Sequence, residues 1–157
     1  MRLDQLREET AIEIENLEVV AKDARELLFL AQKRDLTKHE IYGAAAILGC
    51  FYTGVENLLL RFLKHQNLPL PGGEQWHEDL LGCFRAGNLP GIALKLDADI
   101  ARILGDLRKI RHVVRNRYGH LLRWDLLMPH LNILDKLTGP LKTSVQNALS
   151  GLAKGQS

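Results

Sequence analysis

The sequence has few of the residues that cross-link, break or anchor a protein chain. Only two of its 157 residues are cysteine, and aromatic residues make up 6%. Cys50 and Cys83 do not form a CxxC pair, so the sequence indicates neither a disulfide scaffold nor a thiolate metal site. We expect both to be buried, reduced thiols in apolar helical surroundings.

Long apolar runs are also missing. No uninterrupted apolar run reaches the roughly 18 residues of a membrane span, and the chain does not open with a basic segment followed by an apolar one. We therefore expect a cytoplasmic protein that makes no contact with a membrane. Apolar residues still make up 46% of the chain, which is enough for a packed core.

What the sequence does contain is the apolar periodicity of α-helices, with no alternating strand pattern and no internal repeat. Short connections between the segments indicate that neighbouring helices run antiparallel. We therefore predict an all-α, antiparallel helical bundle, with one domain over residues 1–150 and a flexible tail over 151–157. The predicted helices cover residues 2–34, 38–66, 76–86, 97–119 and a last segment from about residue 125.

Local sequence signals mark the predicted helix ends. Thr37 and Glu40 have the spacing of a capping box, and Gly119 is predicted to end the fourth helix. Asp125 is predicted to cap the last helix, which would place Pro129 in its first turn, and Gly139-Pro140 would kink or split that helix. Small residues in the first half of the second helix predict close packing at the centre of the bundle: Gly43, Ala44, Ala45, Ala46 and Gly49.

Charge is distributed unevenly along the chain. Residues 1–75 hold nine Lys and Arg against twelve Asp and Glu, whereas residues 76–157 hold twelve against seven. A single acidic residue, Asp106, opposes the basic residues of the stretch over residues 102–123. A local basic surface of this kind is typical of a protein with a phosphate-bearing partner. Its basic residues are Arg102, Arg108, Lys109, Arg111, Arg115, Arg117 and Arg123.

The most informative stretch covers residues 108–120. Asn116 and His120 lie four residues apart and would share one face of an ideal helix. Arg115 and His120 are five apart, roughly 140° around that helix, so a regular helix cannot point both at one phosphate. Two solutions stay open: the helix loosens at Gly119 and turns His120 round, or a twofold dimer brings two copies of the motif to one cleft.

These residue types permit metal-independent cleavage of RNA, because the 2′-hydroxyl beside each phosphodiester can attack it. A histidine moves protons near neutral pH. An arginine holds a phosphate with two hydrogen bonds and stabilises developing negative charge, and an amide orients the histidine or a phosphate oxygen. We assign these roles to His120, Arg115 and Asn116. No pair of carboxylates lies near them, as a two-metal nuclease would need, so we expect no metal and no cofactor.

Three short motifs resemble those of the HEPN family, and in particular of HepT-like proteins. RNRYGH at residues 115–120 resembles the Arg-polar-x-x-x-His signature of HEPN domains. FYTGVENLLLRFLK at 51–64 resembles the Tyr-x-Gly-Ile-Glu-Asn segment of HepT-like proteins. KIRHVVRNRYG at 109–119 resembles their Arg-His-x-x-Arg-x-x-Tyr-Gly block. With WHEDLL at 76–81, the resemblance covers most of residues 1–150.

The resemblance implies an all-α bundle that dimerises, with two motifs meeting at a cleft. It also implies a ribonuclease toxin that is neutralised by a nucleotidyltransferase of the MNT type. Arg115 matches the motif arginine, Asn116 the polar position and His120 the catalytic histidine. HepT toxins commonly carry, two residues after that histidine, a tyrosine that receives AMP from the partner, and here that position is Leu122. Tyr118 is then the candidate substitute acceptor.

The other residues of the basic stretch receive supporting assignments. Arg108, Lys109, Arg111 and Arg117 are predicted to contact phosphates without reading base sequence. His112 lies one turn before Asn116, where it supports the site, binds phosphate or is a surface residue without a role.

Polar residues elsewhere are predicted to be structural. Glu56 and Asn57 lie on an apolar helix and need partners if buried. We expect a hydrogen-bonded anchor to a neighbouring helix, and the alternative is a polar interior near the cleft that serves catalysis. His77, Glu78 and Asp79 are adjacent and point in different directions around a helix. They are therefore predicted to cap the helix or face solvent rather than to bind a metal.

Two other functions compete with RNA cleavage. A non-catalytic helical module that docks a nucleotidyltransferase would need the bundle and the dimer, but not His120. An all-α pyrophosphohydrolase would need Glu and Asp at helical spacing to hold Mg²⁺. The one dense acidic patch lacks a coherent inward face, and it consists of Glu8, Glu9, Glu13 and Glu15.

Overall fold

The computed structural model describes residues 2–85 and 88–155. Over these residues the chain forms five α-helices and one 3₁₀ turn, and its single strand-like contact is an isolated bridge between Arg85 and Leu96. The prediction of an all-α helical bundle is confirmed. The elements are α1 (Leu3–Lys33), α2 (Lys38–His65), α3 (Trp76–Cys83), α4 (Ala98–Arg115), the 3₁₀ turn (Gly119–Leu121) and α5 (Trp124–Gly155).

The central helix of the bundle is α2. It packs against α1, α3, α4, α5 and the 3₁₀ turn, and its second half carries a nearly continuous set of fully buried side chains, including Phe51, Tyr52 and Phe62. By length and composition α2 could also cross a membrane, but 50% of its most apolar stretch is buried inside the bundle. The core helix of a bundle passes the same test, so this is weak evidence for a membrane span.

The small residues of α2 divide between two faces. Ala44 is buried in the core, whereas Ala46 and Cys50 are exposed. The prediction that both cysteines are buried is therefore wrong, since Cys50 is exposed and Cys83 is half-buried. Cys50 lies on the exposed side of α2, and an apolar sequence environment does not distinguish that side from the core.

Ion pairs between helices hold α1 in register with its neighbours. Arg61 of α2 donates to Glu13 of α1 at 3.0 Å and also contacts Glu9. On the other side of α1, Lys142 of α5 lies 3.4 Å from Glu18. Because Arg61 and Glu13 are mostly shielded from solvent, with side-chain exposures of 30% and 12%, this pair is screened less than a surface pair.

The start of α2 follows the predicted capping box. The Thr37 hydroxyl accepts from the backbone N–H of Glu40 at 3.2 Å, and the Glu40 carboxylate accepts from the backbone N–H of Thr37 at 2.8 Å. Arg34 adds two hydrogen bonds to the same carboxylate. The Arg34 guanidinium, followed by the Thr37 backbone, lowers the pKa of Glu40 to about 2.

Two helices end earlier than predicted. The fourth helix ends at Arg115 and not at Gly119, because the Asn116 side chain turns back and donates to the carbonyl oxygen of His112 at 2.7 Å. The third helix ends at Cys83, and the predicted end at residue 86 lies outside the described residues. After Cys83 the carbonyl of Phe84 accepts from the backbone N–H of Leu96 at 2.8 Å instead of continuing the helix.

The last helix is longer and more regular than predicted. It begins at Trp124, so Asp125 lies inside its first turn and is not the cap, and both Pro129 and Pro140 lie within one continuous helix. Both prolines are exposed, while the buried stripe continues past them on the opposite face. Core packing therefore outweighs the local cost of the prolines. That stripe consists of Leu127, Leu131, Leu134, Leu137, Leu141, Val145 and Ala148.

The C-terminal segment that was predicted to be a tail begins inside this helix. Residues 151–155 form the last turn of α5, and Leu152 and Ala153 pack against the core. Residues 156–157 of the predicted tail lie outside the described residues.

Candidate functional site

A polar pocket lies between α3 and the second half of α4. Its volume is about 260 Å³. The residues of α4 that line it are spaced by one, three or four, so they share one helix face. The lining residues are His77, Arg108, Arg111, His112, Arg115 and Asn116.

The positive charge in this pocket is not neutralised by ion pairs. Among the described residues, Arg108, Arg111 and Arg115 make no ion pair with a carboxylate. Arg111 instead lies over the ring of buried Tyr52, with its guanidinium carbon 6.0 Å from the ring centroid. Burial raises the pKa of Tyr52, which stays a neutral phenol at physiological pH. Converging arginines without carboxylate partners favour an anionic ligand.

The predicted phosphate-binding residues divide between different surfaces. Arg108 and Arg111 line the polar pocket, but Lys109 lines a separate polar pocket together with Arg102. Arg108 borders both pockets. Arg117 is exposed in the turn after α4 and does not line the polar pocket.

The structure brings together two of the three predicted catalytic residues. Arg115 and Asn116 line the pocket, whereas His120 lies in the 3₁₀ turn and is not among the lining residues. His120 is exposed and stacks against the exposed ring of Tyr118, with centroids 5.8 Å apart. In a single chain, therefore, the histidine of the motif does not line the polar pocket that its arginine lines.

Close packing positions the 3₁₀ turn. Gly119 lies so near α2 that an added Cβ would stand 2.6 Å from Cε1 of Tyr42 and 2.8 Å from its Cζ. Only glycine fits this approach without movement, since such distances are shorter than van der Waals contact. Gly119 thus serves contact between the turn and α2 rather than the helix ending predicted for it.

The structure also identifies a residue of the pocket that the sequence prediction missed. His77 is half-buried, and its Nδ1 is hydrogen-bonded to Oε2 of Glu56, which is 4% exposed. The expected anchor from Glu56 to a neighbouring helix is confirmed, while Asn57 is exposed. The prediction of capping or solvent exposure is wrong for His77. A buried carboxylate requires a partner, and that signal would have pointed to a nearby histidine or cation.

A broad apolar groove adjoins the polar pocket. It runs along α1, α2 and α4, has a volume of about 640 Å³, and shares Arg111 and Arg115 with the polar pocket. The exposed side of α2 forms its floor with small side chains at helical spacing, including Ala46, Cys50 and Thr53. The predicted site therefore borders an open, largely apolar groove whose small side chains allow another helix to approach closely.

The position at which HepT toxins commonly carry a tyrosine is occupied here by a buried leucine. Leu122 is 8% exposed and belongs to the core, whereas Tyr118 is 76% exposed. Of these two positions, Tyr118 is therefore the one that a modifying enzyme could reach. No group of three or more His, Cys, Asp or Glu side chains in residues 2–85 and 88–155 is arranged to hold a metal ion.

Comparison with known proteins gives one match. A family model described as HepT-like protein matches residues 43–152, which is more than half of the chain. The match covers most of α2, all of α3 and α4, and most of α5. No curated protein and no solved structure matches the chain.

Proposed function

The chain belongs to the HepT-like family of HEPN proteins, and from this premise we propose that it is the endoribonuclease toxin of a toxin–antitoxin pair. The observation that carries the proposal is the set of arginines without carboxylate partners around one small polar pocket. Arg115 belongs to the family motif, and Arg111 and Arg108 lie one and two turns before it, respectively. Such a pocket suits the phosphodiester of RNA.

We propose that the active form is a homodimer. Arg115 lines the polar pocket and the apolar groove, while His120 lies outside the polar pocket. A second chain seated on the groove would cover exposed small residues of α2 and bring a second copy of the motif to the same region. Loosening of the helix at Gly119 was the other way to bring Arg115 and His120 together. Because α4 already ends at Arg115 and His120 still lies outside the pocket, the dimer is the better explanation.

The reaction follows from the residue types. The 2′-oxygen of the substrate attacks the adjacent phosphorus, the bond from phosphorus to the 5′-oxygen breaks, and a 2′,3′-cyclic phosphate and a 5′-hydroxyl result. His120 acts as a general acid or base, and Arg115 holds the phosphate and stabilises its developing charge. Asn116 orients the phosphate or the histidine once RNA is bound. The step requires no metal.

We expect purified protein to cleave RNA with EDTA present and to leave DNA of the same sequence intact, because DNA lacks the 2′-hydroxyl. His120→Ala should abolish cleavage. His130→Ala serves as the control, since His130 is a half-buried histidine of α5 outside the pocket. The measurement is gel electrophoresis of labelled tRNA and mRNA fragments. Equal cleavage of RNA and DNA would exclude this mechanism.

We propose that the neutralising partner is a nucleotidyltransferase of the MNT type and that both proteins act in the cytoplasm. Since Leu122 is buried, Tyr118 is the expected acceptor of AMP. Its hydroxyl would attack the α-phosphate of ATP and release pyrophosphate. Mass spectrometry after incubation with the transferase and ATP should find one AMP on Tyr118 and none on Tyr118→Phe. An unmodified wild-type chain would contradict the assignment.

A second function is a non-catalytic module that docks a nucleotidyltransferase. The observation favouring it is the position of His120, which lies outside the pocket of the single chain and stacks on Tyr118. The cleavage assay separates the two functions. If neither wild type nor His120→Ala cleaves RNA, the docking module becomes the better account.

A further inference from the structure

The pair formed by Glu56 and His77 has no part in the mechanism described so far. Glu56 extends from the apolar central helix and is 4% exposed, and its Oε2 is hydrogen-bonded to Nδ1 of His77 on α3. Desolvating a carboxylate costs free energy that an aliphatic residue at the same position would not. The anchoring role accounts for the hydrogen bond between the helices, but it does not explain why the partner of this carboxylate is a histidine that lines the arginine pocket.

The hydrogen bond fixes which ring nitrogen of His77 is available. A carboxylate only accepts hydrogen bonds, so Nδ1 is the donor and carries the proton. In the neutral ring Nε2 then has a free lone pair, on the edge of the ring turned away from Glu56. The ring of Trp76 packs against the His77 ring, with centroids 3.7 Å apart and the two planes tilted by 31°. The other histidine of the pocket, His112, is exposed, and no carboxylate within residues 2–85 and 88–155 forms an ion pair with it.

We propose that His77, held by Glu56, is a second catalytic histidine and acts as the general base of the RNA-cleaving site. This assignment rests on the proposed function and deepens it. His77 lines the same pocket as Arg115, the residue that holds the phosphate. A base there stands beside the scissile phosphodiester, next to the 2′-hydroxyl that must be deprotonated.

The step balances with two histidines. Nε2 of His77 takes the proton of the 2′-hydroxyl, and the 2′-oxygen forms a bond to phosphorus. The bond from phosphorus to the 5′-oxygen breaks, and that oxygen takes a proton from His120. The Glu56 carboxylate stabilises the imidazolium of His77 as it forms, in the way a buried carboxylate supports a catalytic histidine elsewhere. Glu56 is a positioning residue, since it acts through His77.

The test uses a substrate that needs a base but no acid. In an RNA with sulfur in place of the bridging 5′-oxygen, the leaving thiolate departs without a proton. We expect His77→Gln to lose about a hundredfold in cleavage rate on the normal and on the sulfur substrate. His120→Ala should lose activity on the normal substrate and regain most of it on the sulfur one. His130→Gln, a half-buried histidine outside the pocket, should match wild type on both.

The outcomes separate the two ideas. If wild type cleaves RNA and His77→Gln cleaves it equally well, the base assignment is wrong and the proposed function stands. If the sulfur substrate restores His77→Gln, His77 is an acid and the assignment is also wrong. If wild type cleaves neither substrate, the proposed function fails and takes the assignment with it. Circular dichroism and the thermal midpoint of each variant confirm that the compared chains are folded. Glu56→Gln keeps a hydrogen-bonding group at position 56 and should reproduce part of the His77→Gln loss on both substrates.

Discussion

An equimolar mixture of Arg115→Ala and His120→Ala chains should cleave RNA, although neither variant does so alone. The reason is the separation of the two residues: Arg115 lines the polar pocket, and His120 lies in the 3₁₀ turn outside it. If a site takes its arginine from one chain and its histidine from the other, a mixed dimer holds one intact site and one site that lacks both residues. Each pure variant holds no intact site.

The expected recovery follows from random pairing. Half of the dimers are mixed and each has one of two sites intact, so cleavage should reach roughly a quarter of the wild-type rate. Loss of the phosphate-binding arginine costs on the order of 10²–10³-fold, and loss of the acid–base histidine costs about 10²–10⁴-fold, so the recovery stands far above the background of either pure variant. The variants are mixed under subunit exchange, and two different affinity tags isolate the mixed dimers. If isolated mixed dimers are inactive, arginine and histidine act from the same chain and the 3₁₀ turn must move on RNA binding.

Much of the fold could be predicted because helix periodicity and capping are local. The capping box at Thr37 and Glu40 is read directly from spacing, and the structure reproduces both of its hydrogen bonds. The prolines of α5 misled the prediction, since proline is judged by its local cost alone. The buried stripe from Leu127 to Ala148 stabilises the helix through packing against the rest of the bundle, and no local sequence signal contains that contribution.

The pocket residues that belong to one short sequence motif could be predicted from the sequence. The pocket residue that the fold brings in from a distant segment could not. Arg115 and Asn116 lie side by side, and both reach the pocket. His77 is 38 positions earlier in the chain and joins them only because α3 packs on α2 and α4. The end of α4 differs from the prediction because the Asn116 side chain caps the helix by donating to the carbonyl oxygen of His112. The sequence prediction assigns Asn116 only a role in the chemistry of the site.

Replacing Gly119 with alanine should lower RNA cleavage about a hundredfold with little change in overall stability. The added methyl group would stand 2.6 Å from Cε1 of Tyr42, so either the ring or the 3₁₀ turn must shift. The turn is the weaker element, because it consists of three residues at an exposed surface, whereas Tyr42 is anchored in α2. His120 follows Gly119 directly, and a displacement of about 1 Å at a catalytic group costs on the order of 10²-fold in rate.

A second substitution tests that reasoning. Leucine at position 42 lacks Cε1 and Cζ, the two ring atoms nearest to the new methyl group. Tyr42→Leu in the Gly119→Ala background should therefore restore most of the cleavage. The control is Gly139→Ala, because nothing lies within 4 Å of a Cβ added there. It should leave cleavage unchanged and raise the free energy of unfolding by up to about 1 kcal/mol, since alanine favours a helix interior over glycine. Cleavage rates and urea unfolding of the four chains decide the matter: a Gly119→Ala chain that cleaves like wild type would show that contact with Tyr42 does not place His120 for catalysis.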